Sequence, residues 1–97
     1  MNLDELRGEI DRIDADIVRL LNERMKVAVR IGRIKKKAGV PIHVPEREKE
    51  VYARVVGANE GPLLDSNLRD IYRKIMSVTR SVESGLTVKS KAGRASR

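Results

Sequence analysis

Ninety-seven residues with a net charge of +7, no cysteine, no Trp, no Phe and one His make a single domain, whose core stays modest unless the chain oligomerises. That inventory excludes disulfides, thiolate chemistry and a multi-histidine metal centre, and it suits a reducing compartment. No apolar h-region opens the chain and no apolar run could span a bilayer, so the reading is a soluble, cytoplasmic, all-α protein without metal.

In chain order, Asn2 followed by Glu5 has capping-box spacing, and Asp4 and Glu5 place acids in a first helical turn. Leu3, Leu6, Ile10, Ile13, Ile17, Leu20, Val27, Ile31, Ile34 and Ala38 then recur in steps of three and four, which predicts one long helix with a narrow apolar seam. Gly39, with Pro41 beyond it, predicts where that helix stops. At about 1.5 Å per residue the helix runs about 54 Å. A compact domain of this size has a radius of gyration of about 13 Å, so the seam needs a partner from another chain. Gly32 weakens the helix interior by up to about 1 kcal/mol relative to Ala. It marks a close approach of backbone or ligand, close packing being the simpler case.

Arg24 occupies a slot of the seam, where a guanidinium stays charged and needs an anion unless it snorkels or pairs with Glu23 or Asp14. Lys35 lies eleven residues further on, and eleven steps of about 100° return to nearly the same face, so both line one groove. Arg7 stands about 25 Å before Arg24 along the helix. Only an antiparallel partner helix brings a second copy of Arg7 near it, which gives two equivalent cationic sites per dimer. Lys26, Arg30, Arg33, Lys35, Lys36 and Lys37 run without an intervening acid and could follow a phosphate backbone. A solvated face with favourable charge at a helix C-terminus explains most of them more simply.

Residues 40–45 read as an extended connector between Pro41 and Pro45, in which the lone His43 receives no role. Pro45, Glu46 and Glu48 predict the first turn of a second helix, with Val51, Tyr52 and Val55 as its apolar face and Gly57, Asn59, Gly61 and Pro62 ending it. A third helix is expected from an Asp65 or Ser66 cap to about Ser84, stopped by Gly85. Its core stripe is Leu68, Ile71 or Tyr72, Ile75, Val78 and Val82. A neighbouring stripe of Tyr72, Met76, Thr79 and Glu83 falls at the core's margin. Thr79 has two readings, a functional hydroxyl or one bonded back to the preceding turn. Residues 1–85 form the expected domain. The basic segment 86–97 holds Lys89, Lys91, Arg94 and Arg97, is expected to be disordered, and leaves +3 for the rest of the chain.

The chain lacks a Gly-rich phosphate loop, zinc-ligand spacing and the set for a Ser/His arrangement. Arg7 of one chain with Arg24, Lys35 and Arg47 of the other makes a clamp for a small dicarboxylate, since guanidinium forks match carboxylates. Such a clamp accelerates a reaction whose barrier is mainly conformational and whose transition state gathers negative charge near a cation.

The segments LRGEIDRIDADIVRLLNER at 6–24, VAVRIGRIK at 27–35, PEREKE at 45–50 and NEGPLLDSNLRDIYRKIMSVTRSVE at 59–83 together resemble the all-helical chorismate mutase family, over essentially residues 3–84. The resemblance implies a cofactor-free Claisen rearrangement of chorismate to prephenate in aromatic amino-acid biosynthesis, on an intertwined, antiparallel homodimer of three-helix chains with shared sites. Arg7 would reach into the partner's site, and Arg24 and Arg47 would hold substrate carboxylates. Lys35 would meet a carboxylate and the ether oxygen, Glu48 would accept from the substrate hydroxyl, and Thr79 would stand near a carboxylate. Glu83 falls where many members carry glutamine facing the ether oxygen. Two departures stand out: Val44 replaces an aspartate common before Pro45, so Glu48 must do more, and Glu83 must carry a proton to help. Faster turnover at mildly acidic than at alkaline pH is therefore expected. Other readings are a regulatory mutase domain working with a partner enzyme of the shikimate pathway, an isochorismate pyruvate lyase, and a basic helical dimer on nucleic acid. The scarcity of stacking aromatics weighs against the last.

Overall fold

The first helix, α1 (Leu3–Ala38), begins where the Asn2 side chain accepts a hydrogen bond from the Glu5 backbone N–H at 2.8 Å. It ends at Gly39, whose φ of 69° is left-handed, with the Gly39 N–H donating to the Lys36 carbonyl and the Val40 N–H to that of Lys35. In the computed structural model, which describes residues 1–87, α2 (Pro45–Ala58) and α3 (Asp65–Glu83) follow, and there is no strand among the described residues. Pro45 occupies the first turn of α2, as predicted. The start of α3 differs from expectation: Leu64 is the cap residue and Asp65 lies inside the first turn. The Asp65 carboxylate is occupied elsewhere, accepting from Asn59 Nδ2 at 2.7 Å and pinning the α2–α3 loop. The expected disordered tail falls largely on residues 88–97, outside the described residues.

α3 packs against both α1 and α2. The contact with α1 forms where α1 presents its small residues. Ala28 and Gly32 of α1, with Met76 and Val82 of α3, are the buried residues among those described. A Cβ built on Gly32 would overlap the Glu83 backbone, lying 2.7 Å from its Cα. Gly32 thus marks close helix packing, and that packing decides which face of α3 turns inward. Of the expected core stripe Val82 is buried and Ile75 half-buried, while Ile71 and Val78 remain exposed, and the Met76, Thr79 and Glu83 stripe faces α1.

The radius of gyration is 16.5 Å and the extents are 55 × 41 × 15 Å. A helix with its side chains is about 10–12 Å across, so the chain is little more than one helix thick. Most of the α1 seam is consequently uncovered: Ile10, Ile13, Ile17 and Leu20 are each about half exposed. No helix among the described residues is long and apolar enough to cross a membrane.

Candidate active site

A cleft of about 530 Å³ opens where the second half of α1, the connector, the first turns of α2 and the last turns of α3 converge. Ile42, Val44 and Val51 form an apolar wall on the side of the connector and α2, so Val44 lines the cleft where an acid was noted as common. Charged groups enter the cleft from all three helices.

Arg24 leaves the apolar seam for this cleft, its Nη1 donating to Thr79 Oγ1 at 2.6 Å. The Thr79 hydroxyl donates in turn to the Ile75 carbonyl at 2.6 Å, so both readings of Thr79 hold at once. Its proton is committed to the helix, and its lone pair orients the guanidinium. Glu23 is not the anion for Arg24; it pairs with Arg19 at 3.4 Å on the surface.

Lys35 ties three segments together. Its Nζ donates to Glu83 Oε1 at 2.6 Å and to the Ile42 carbonyl at 2.8 Å, linking α1 to α3 and to the connector. The Lys35 and Glu83 side chains are 17% and 9% exposed, which shields their attraction from solvent. Glu48 lies across the cleft with Oε2 accepting from Arg80 Nη1 at 2.6 Å, and His43 Nε2 stands 3.7 Å from the same oxygen. Arg47 lines the same cleft from α2 on a residue otherwise exposed.

Of the seven residues singled out from the sequence, Arg24, Lys35, Arg47, Glu48, Thr79 and Glu83 converge here, and Arg7 does not. Arg7 lies on the exposed N-terminal part of α1. Arg80 escaped notice. Its signal was available in the spacing of Met76, Thr79, Arg80 and Glu83, which share one helix face. Arg24, Lys35, Arg47 and Arg80 face Glu48 and Glu83, a balance of +2 suited to a dianion.

Residues 6–84 match the family described as chorismate mutase type II. The chain belongs to that family. The bifunctional chorismate mutase/prephenate dehydratase of Aquifex aeolicus (strain VF5) is 51% identical over 90 residues, covering 89% of this chain and 25% of the relative. The chain therefore spans about a quarter of the length of that bifunctional relative. The Methanocaldococcus jannaschii chorismate mutase is 45% identical over 53 residues, 55% of this chain and 54% of that one. Among solved structures, a chorismate mutase (form II) from Thermus thermophilus superposes with a TM-score of 0.84 at 32% identity, over 89% of this chain and 98% of the other. The Helicobacter pylori chorismate mutase, crystallised in complex with prephenate, gives a TM-score of 0.77 at 29% identity, over 88% and 97% of the two chains.

Proposed function

We propose that this chain is a chorismate mutase, converting chorismate to prephenate within residues 1–85. The observation that carries the reading is the convergence of Arg24, set by Thr79, and Lys35, set by Glu83, on one cleft of net positive charge in a chain of this family. In the Claisen rearrangement the ether C–O bond breaks as a C–C bond forms within one molecule, so no nucleophile, electron carrier or cofactor enters the balance. The work left to the protein is to fold the substrate and to meet the charge that moves. Arg24 and Arg47 hold the two carboxylates. Lys35 donates to the ether oxygen as negative charge builds on it. Glu48, one oxygen held by Arg80, offers the other to the substrate hydroxyl. Glu83, paired with Lys35, holds the ammonium toward that ether oxygen.

The working form in this proposal is an intertwined antiparallel homodimer, in which the exposed α1 seams cover one another and each site receives Arg7 from the partner. The half-exposed seam and the position of Arg7 outside its own chain's cleft support it. A second reading, a mutase domain tuned by a prephenate-processing partner, is favoured by the bifunctional relatives, of whose length the chain spans about a quarter.

Purified chain is incubated with chorismate, with prephenate identified as product and Arg24→Ala as the control. Turnover that falls about 10²–10³-fold in the control, the loss typical of removing a preorganised charge contact, supports the mutase. A folded helical dimer that leaves chorismate unchanged overturns the free-standing enzyme and favours the partner-dependent domain.

A further inference from the structure

Two ion pairs fasten the cleft, and each crosses between helices. Lys35–Glu83 joins α1 to α3, and Arg80–Glu48 joins α3 to α2. The first belongs to the chemistry already described, whereas Arg80 has no part in the clamp of Arg24, Arg47 and Lys35. Its geometry nonetheless bears on α2 as a whole. That helix has no buried residue, so apolar packing holds it loosely. Its far end is fixed through Asn59 and Asp65, and among the described residues Arg80–Glu48 is the salt bridge that holds its first turns to α3. Arg47 precedes Glu48 on the same turn, so whatever fixes Glu48 also fixes the origin of the Arg47 side chain.

We propose that Arg80 is a positioning residue for the mutase reaction, acting through Glu48. Its guanidinium occupies Oε2 and leaves Oε1 directed to a ligand hydroxyl. It also offsets a carboxylate that would otherwise face a dianionic substrate, because without Arg80 the cleft balance falls from +2 to +1. His43, 3.7 Å from the same oxygen, has a side chain 57% exposed and is too solvated to replace Arg80. Val44 adds to this dependence, since the wall beside Glu48 carries a hydrocarbon and no second acid. The inference rests on the mutase reading of the cleft.

A double-mutant cycle tests it on the full chain with chorismate, using wild type, Arg80→Met, Glu48→Ala and the double variant, with thermal midpoints measured alongside. Met keeps an unbranched stem and removes the charge and all donors. The expected result is a loss of about tenfold in kcat/KM for Arg80→Met in wild type, the range for losing a hydrogen bond to a charged group. In the Glu48→Ala background the same change should cost less than about twofold, and Arg80→Lys should recover part of the loss. Equal losses in both backgrounds, or coupling seen in the midpoints with kcat/KM unmoved, overturn the positioning role. A wild-type chain that leaves chorismate unchanged overturns the free-standing mutase reading and this proposal together, whereas turnover without coupling overturns this proposal alone.

Discussion

Arg24 is held by the Thr79 oxygen. With the Thr79 proton given to the Ile75 carbonyl, the hydroxyl faces the guanidinium as an acceptor. Thr79→Ser keeps both bonds and should retain most of the activity. Thr79→Val, similar in shape, removes them and should lower kcat/KM about tenfold in the chorismate assay. Glu83 makes the complementary prediction. Its carboxylate is taken up by Lys35, whereas an amide at the same place keeps an acceptor for Lys35 and adds a donor toward the ether oxygen. Glu83→Gln should therefore keep or raise kcat/KM in the chorismate assay, and a fall of about tenfold would show that the reaction needs the Lys35–Glu83 charge pair itself. Arg24 and Lys35 were legible in the sequence because each stands on a face whose other members are apolar, so the charge demands a reason. Arg80 is harder to read: its spacing places it on the face of Met76 and Glu83, but an arginine beside a serine on a charged helix looks solvated. Its significance comes from Glu48, thirty-two residues away in sequence and 2.6 Å away in space.

At the level of the helices, one glycine sets the geometry. Gly32 lets the α3 backbone lie against α1 three residues before Lys35, and Glu83, the residue that touches Gly32, is also the ion-pair partner of Lys35. Gly32→Ala gains helix propensity of up to about 1 kcal/mol. It also forces a methyl against backbone that cannot rotate aside, where overpacking costs about 1–3 kcal/mol. The net expectation is a lower thermal midpoint and a weakened Lys35–Glu83 pair. Gly57→Ala, whose Cβ meets nothing within 4 Å, should raise the midpoint instead. A higher midpoint for Gly32→Ala would show that the helices part without penalty. The helix ends were legible because caps and prolines act locally: Asn2, Gly39 and Pro45 each do what their chemistry dictates. The inward face of α3 was legible only in part: Val82 of the expected stripe is buried, but so is Met76 of the neighbouring one, since Ile75 and Met76 point only about 100° apart. Asp65 illustrates the same limit, as its capping propensity yields to a tertiary bond with Asn59.

For the molecule as a whole, the thin chain and bare seam predict that the site is shared. If each site takes Arg7 from one chain and Arg24 from the other, inactive Arg7→Ala and Arg24→Ala homodimers should regain activity when unfolded together and refolded as a mixture. Half the dimers would then be mixed, each with one intact site, so the regained rate should approach about a quarter of wild type by statistics alone. No recovery from a mixture shown to contain heterodimers would place Arg7 outside the chemistry. Ile13→Asp, which puts a charge into the half-exposed seam, should yield smaller species by sedimentation and abolish turnover.

The 15 Å thickness has one further consequence. A chain so thin encloses few large side chains by itself, Met76 being one, and among the described residues no large one is fully buried. The interior that stabilises the proposed dimer is therefore assembled only when two chains meet, and folding becomes a second-order event. Its midpoint should climb with protein concentration by mass action, and dilution alone should unfold it and silence the enzyme together. In the proposed dimer, the second copy of the chain acts as the ligand.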